Sequence, residues 1–258
     1  VIPPAGWLVP TWAGAAIGAL MTTREGGASE GPYASMNLGA AVGDSPGSVV
    51  ANRARFAAAC AAAPVYLRQV HGTRVVRVGA ADARAGSTLH EADAIVTTEP
   101  GVACAVQAAD CLPVLLAAPE GRAVGAAHAG WRGLAAGVVE ATVAAVCDAA
   151  ACRPAELQAW LGACIGPRRF EVGADVLDAF AAGPMPVATP AFKPFRSGKW
   201  LADLPALAAA RLAAAGVLRI EGGSWCTVED ASRFFSFRRD GVTGRMAAAV
   251  WIRATSRR

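Results

Sequence analysis

The chain has 258 residues, 54% hydrophobic and 17% charged, which is enough to bury a core and far from a disordered composition. Its 28 glycines and 16 prolines are spread along the chain, which excludes collagen-like and linker-like tracts. A net charge of +4 without a basic stripe gives no nucleic-acid footprint.

In chain order, Trp12–Thr22 is predicted as a strand, ended by the turn Thr23-Arg24-Glu25-Gly26-Gly27. Gly31–Asp44 is loop-like, and Ser45-Pro46 opens a helix through Arg53 to Ala62. Strands at Val65–Gln69 and Thr73–Val78 flank His71-Gly72, and a polar connection follows over 80–91. Short apolar strands are expected at Ala94–Thr98, Val102–Ala108 and Leu112–Ala118. Pro119–Arg122 is a turn, and Ala123–His128 returns as a strand. Leu134–Ala149 is the strongest helix, followed by a strand at Leu157–Gly162 and a helix at Val172–Ala182. Residues 183–200 are proline-rich and read as irregular; a helix at Leu204–Ala215 and a strand at Val217–Glu221 follow. The end reads as a hairpin, Phe234–Arg238 turning at Arg239-Asp240-Gly241 into Arg245–Ile252. Hairpin-linked strands mixed with helices predict an α+β fold with mixed sheets, organised as one catalytic domain over 1–258. Prolines at 3, 4 and 10 and the lack of a basic start argue against a signal peptide, and the apolar run 133–152 holds Glu140 and Asp148, so no membrane span is expected.

The chemistry concentrates in few residues. Only His71, His90 and His128 occur, so at most one small metal site can rest on imidazole, and several coppers cannot be held. Seven cysteines, an odd number with no C-x-x-C spacing, point to reduced thiols in a cytoplasmic protein. Pairing Ala118 with Ala123 across the Pro119–Arg122 turn makes Pro113 the partner of His128. Cys111, on the Pro113 face, then lies diagonally from His128, and His71 can approach from a neighbouring strand break. Two imidazoles and a thiolate are three good zinc ligands, and three protein ligands leave a fourth position open, as catalytic zinc sites do. The same residues also suit a Cys111 nucleophile activated by a histidine, or ordinary core packing. His128-Ala129-Gly130-Trp131-Arg132-Gly133 reads first as a tight turn with a packed tryptophan, and second as an anion cradle at a helix start. Asp110 is better placed for structural hydrogen bonding than for ligation.

These stretches carry a resemblance. Thr23–Gly27, Ser35-Met36-Asn37-Leu38-Gly39, Leu67–Gly72, Ala109-Asp110-Cys111-Leu112-Pro113-Val114 and His128–Gly133 run in order with Gly166-Pro167, Phe170–Gly173, Cys226-Thr227 and Phe235–Gly241. Together they resemble the YfiH family, also called the laccase-domain or polyphenol oxidase family. The resemblance implies mixed sheets flanked by helices and one zinc ion on His71, Cys111 and His128, with copper disfavoured. It also implies phosphorolysis of adenosine, inosine and methylthioadenosine, with adenosine deamination as a second activity. Purine nucleoside and phosphate are then the expected partners, and Arg24, Asn37, Arg132 and Arg238 the candidate substrate contacts, with Asp110 or Glu171 as candidate acids. Phe237 stands where the family often has tyrosine, and Cys164 where it often has proline or alanine. An amidase acting on a muramyl precursor through the same three residues, and a non-catalytic nucleoside-binding module, are the alternatives.

Overall fold

The computed structural model describes residues 4–84, 87–183 and 191–254. Strand β1 (Ile17–Met21) is followed by α1 (Pro46–Cys60), β2 (Ala63–Val65), β3 (Leu67–Arg68), β4 (Val75–Arg77), β5 (His90–Glu91) and β6 (Ala94–Thr97). Next come β7 (Val102–Ala108), β8 (Leu112–Ala117), β9 (Val124–Ala129), α2 (Trp131–Ala136), α3 (Val138–Ala150) and β10 (Gln158–Leu161). The chain continues through β11 (Glu171–Val172), α4 (Ala174–Ala182), β12 (Phe192–Arg196), β13 (Lys199–Ala202), α5 (Leu204–Ala214), β14 (Arg219–Gly222), α6 (Phe237–Asp240) and β15 (Met246–Ile252).

Two mixed sheets form the centre. One runs β1-β15-β7-β2 and the other β14-β10-β8-β9-β6-β4; β2–β7, β4–β6 and β10–β14 are parallel pairs and the other neighbours antiparallel. Side-chain alternation explains the layering. Val102, Cys104 and Val106 of β7 face Leu115, Ala117, Val124 and Ala126 of the other sheet. Ala103 and Ala105 point the opposite way, onto Phe56 and Cys60 of α1. Leu112, Val114 and Leu116 of β8 pack under Val139, Val143 and Val146 of α3 and Leu207 and Leu212 of α5. The layers are therefore helix, sheet, sheet, helices, the expected α+β arrangement with mixed sheets. No helix among the described residues is long and apolar enough to cross a membrane.

Four local expectations change. The helix predicted over Leu134–Ala149 is two helices, because Gly137 takes φ 105° between α2 and α3. Within the stretch read as irregular, β12 and β13 form a hairpin through Gly198 at φ 66°, while 184–190 lie outside the described residues. Phe234–Arg238 is not a strand: Phe234 and Phe235 are both buried, breaking the alternation, and Ser236 Oγ accepts the Arg239 N–H at 3.2 Å to cap α6. The connection read as polar over 80–91 ends in a strand: His90 pairs with Asp82 Oδ1 at 2.7 Å and joins β5 to β3.

Candidate metal centre and its cavity

The hairpin pairs as its turn requires. Ala118 N–H donates to Ala123 O at 3.0 Å, and Pro113 faces His128. His128 at the end of β9 and Cys111 just before β8 thus reach the same end of the sandwich. His71 arrives from the turn between β3 and β4 with φ 62°, a left-handed backbone that a non-glycine residue adopts only with compensation. Asp93, at the entry to β6, supplies that compensation. Its buried carboxylate accepts the N–H groups of Val70 (3.1 Å), His71 (2.9 Å) and Gly72 (2.7 Å), so the turn wraps around it.

The same carboxylate lies 2.8 Å from His128 Nδ1. Burial works to raise the Asp93 carboxyl, but the His128 hydrogen bond and the backbone donors outweigh it and hold it below its ordinary value. An ionised carboxylate only accepts, so Nδ1 carries a proton and Nε2 is the nitrogen a metal would use once His128 is neutral. Cys111 Sγ lies 3.7 Å from His71 Nε2, and the two rings meet edge to face with centroids 4.8 Å apart. The donor atoms of His71, Cys111 and His128 all lie within 4.8 Å of one another. A tetrahedral zinc with bonds of about 2.0–2.3 Å separates its ligand atoms by roughly 3.5 Å, so the group fits such an ion with small side-chain adjustments.

Electrostatics favour a thiolate at Cys111 and a charged imidazole at His128. Burial opposes a thiolate at Cys111, but the imidazoles of His128 and His71 outweigh it and bring its pKa to about 6. Burial likewise opposes a charged His128, while the Cys111 sulfur and Asp93 raise its pKa to about 9. Both shifts favour a thiolate–imidazolium pair over two neutral groups, and a cation bound to both would displace the imidazolium proton. Gly130 makes the meeting possible: a Cβ there would stand 2.7 Å from His71 Cδ2 and 3.0 Å from Cys111 Sγ. A Cβ on Gly133 would stand 2.8 Å from Gly72 O. The glycines of the His128–Gly133 segment therefore serve close packing, as the tight-turn reading requires.

His128 is buried, Cys111 partly covered and His71 exposed. The three open into a cavity of about 700 Å³ walled by Gly39–Val42, Tyr66, Gln69, Leu89, Gln107 and Phe237, with Arg53, Arg68 and Arg245. This volume lies in the range of small-molecule sites. The candidate substrate contacts and acids do not line it. Arg24 faces a separate shallow hollow and donates to Ala34 O and Ala231 O, each at 3.0 Å. Arg132 is exposed, 4.3 Å over the Trp131 ring. Arg238 donates to Glu171 O at 3.1 Å. Asn37 is fully buried, where it organises the 37–39 turn behind the cavity wall. Asp110 accepts from Thr227 Oγ1 and the Arg238 N–H, both at 2.6 Å, and Glu171 pairs with Arg196. Sequence reasoning missed Asp93, Arg53 and Arg245. A charged residue directly before the apolar strand Ala94–Thr97 was the one available signal for Asp93.

Residues 18–253 match the family described as multi-copper polyphenol oxidoreductase laccase. A Pseudomonas aeruginosa protein named purine nucleoside phosphorylase PA4543 is 48% identical over 248 residues, covering 95% of this chain and 98% of its own. The Escherichia coli protein named purine nucleoside phosphorylase YfiH is 46% identical with the same coverage. The crystal structure of a Neisseria meningitidis protein, described under the family name DUF152, matches with a TM-score of 0.89 at 48% identity over 96% of this chain and 100% of that one. That of YlmD from Geobacillus stearothermophilus matches with a TM-score of 0.91 at 34% identity over 98% of each. With such likeness along nearly its whole length, the chain belongs to the YfiH family, the family that carries the polyphenol oxidoreductase laccase description.

Proposed function

We propose that the whole chain acts as one catalytic unit that phosphorolyses purine nucleosides, with adenosine, inosine and methylthioadenosine as substrates and one zinc ion on His71, Cys111 and His128. The observation that carries this is the His–Cys–His group opening into a cavity whose charged walls are all arginine. The relatives named purine nucleoside phosphorylase support it. A zinc ion held there supplies a Lewis acid that stabilises developing negative charge. The chain's own residues do the rest. Guanidiniums draw phosphate into the cavity, and Leu89 and Phe237 offer apolar surface to the purine. A phosphate oxygen bonds to the ribose anomeric carbon as the bond to the purine nitrogen breaks. The negative phosphate, held by the guanidiniums, faces the oxocarbenium-like carbon, and the purine leaves with the bonding electron pair and takes up a proton from water. Asp93 holds the His71 turn and the His128 ring in place throughout.

Deamination of adenosine fits the cavity less well. Loss of ammonia calls for a proton donor, usually a carboxylic acid. Asp110 and Glu171 are engaged elsewhere, and no carboxylate among the described residues lines the cavity. Multicopper chemistry has no basis in the imidazoles, since His71 and His128 share one site and His90 pairs with Asp82. The seven free cysteines suit a reducing cytoplasm. The test is to incubate zinc-loaded protein with adenosine, with and without phosphate, and separate the products. Adenine and ribose 1-phosphate are expected only with phosphate, and Cys111→Ala abolishes both. Inosine and ammonia as the sole products, or full turnover by Cys111→Ala, would falsify the proposal.

A further inference from the structure

Three arginines line the cavity beside His71 and Cys111. Arg68 is exposed and faces Glu91 at 3.5 Å. Arg53 and Arg245 differ: both are half-buried, and neither has a carboxylate partner among the described residues. Main-chain carbonyls and aromatic faces hold them instead. Arg53 donates Nε–H to Leu38 O at 3.0 Å and lies 4.1 Å over the Tyr66 ring. Arg245 donates to Thr243 O and Gly244 O, each at 3.0 Å, and lies 5.8 Å over the Phe237 ring. A carbonyl orients a guanidinium without cancelling its charge. Both terminal nitrogens of Arg53, with Nε and the second terminal nitrogen of Arg245, have no hydrogen-bond acceptor among the described residues.

One turn fixes both side chains. Asn37 Oδ1 accepts the Gly39 N–H at 2.9 Å and the Arg245 N–H at 2.8 Å. Leu38 accepts from Arg53 and donates its N–H to Arg245 O at 3.0 Å. The stem of Arg245 runs against Gly39, where a Cβ would stand 2.9 Å from its Cγ. Burial pulls the Arg245 guanidinium below its ordinary pKa, so its charge is held at a cost. Two fixed positive groups with no carboxylate in contact among the described residues, with free donors and a cavity in front of them, are matched by a compact dianion.

We propose that Arg53 and Arg245 form a subsite for inorganic phosphate in this cavity. The phosphorolysis reading above supplies the role of that phosphate as co-substrate, whereas its binding rests on the two guanidiniums alone. Another source of the same chemistry is the phosphate group of a nucleotide, and the experiment separates the two. Binding of inorganic phosphate, and separately of adenosine 5′-monophosphate, is measured by calorimetry on the zinc-loaded chain, on Arg53→Gln, Arg245→Gln and Arg245→Lys, together with zinc content and KM for adenosine and phosphate. Each glutamine variant is expected to weaken phosphate binding at least tenfold and raise the KM for phosphate in step. Adenosine KM stays within about threefold and zinc content is unchanged, and Arg245→Lys recovers part of the loss, since it keeps the charge but not the planar fork. Arg53 stands half-exposed on α1, so Arg53→Gln gives an answer even if an Arg245 variant fails to fold. The proposal is overturned if the wild-type chain does not bind phosphate, if both glutamine variants bind it as tightly as wild type, or if only the nucleotide binds. Phosphate bound through the two arginines without ribose 1-phosphate formation supports the subsite and removes the phosphorolysis reading instead.

Discussion

Asp93 joins two histidines that are 57 positions apart, His71 and His128, by satisfying the backbone of one and the ring of the other. Replacing it with asparagine keeps the shape but removes the charge and the full set of acceptors. Loss of such an outer partner typically lowers metal affinity 10–100-fold, and zinc competition with a chromophoric chelator reads this directly; an unchanged affinity contradicts the role. Cys111 gives a pH signature in metal-stripped protein. Burial opposes its ionisation, but the neighbouring imidazoles bring its pKa down to about 6, so alkylation by iodoacetamide is expected to rise through a midpoint near pH 6 and level off below the ordinary thiol range. Cys60 and Cys104, whose thiols burial pushes far up, stay unmodified in the folded chain. A Cys111 midpoint near pH 8.5 contradicts this. The grouping of His71, Cys111 and His128 was legible in the sequence because imidazole is scarce and the β8–β9 register brings Cys111 to His128. Asp93 was not, because its role comes from three backbone N–H groups whose direction no side-chain pattern records. Arg53 and Arg245 were hidden for a related reason: arginine is abundant here, and only the 37–39 turn decides which of them face the cavity.

At the scale of elements, the β8–β9 hairpin was readable because a four-residue turn and strict alternation leave one register that buries the right faces. The segment before β15 was misread because Ser236 and Asp110 offer its backbone a helical turn, a local competition that alternation does not reveal. Gly137 was misread as helix interior for the same kind of reason, since apolar periodicity continues across it. Gly130 sits where β9 hands over to α2, and Gly130→Ala forces His71 and Cys111 off their positions. The expected result is a folded protein with at least tenfold weaker zinc binding, measured by the same chelator competition; wild-type affinity contradicts the close-packing account. Elsewhere, α5 is tied to the α2–α3 pair by Arg211, fully buried, which pairs with Glu140 at 2.5 Å and donates to Ala135 O at 2.9 Å. Glu140→Ala leaves that guanidinium without its counter-charge and costs roughly 3 kcal/mol or more in a denaturant titration, while zinc affinity stays unchanged. A loss below about 1 kcal/mol contradicts the assignment of a buried pair.

Over the whole molecule, the two sheets act as a rigid block whose one end gathers the close of β7 and β9, the entries to β6 and β8, and the start of β15. Cys111, His128, Asp93 and Arg245 come from these ends, and His71 from the β3–β4 turn and Arg53 from α1 reach the same place, so the candidate site is held by a packed core. The layered α+β class was legible because hairpin spacing and alternation survive in the sequence. The pairing of the two sheets was not, because it depends on which face of β7 meets which face of β8 and β9. The most direct test is anomalous diffraction at the zinc edge from crystals of the zinc-loaded chain. One peak per chain is expected, within about 2.0–2.3 Å of His71 Nε2, Cys111 Sγ and His128 Nε2 and open to the cavity on its remaining side. No peak at these three atoms, or a peak at some other group of residues, contradicts the account.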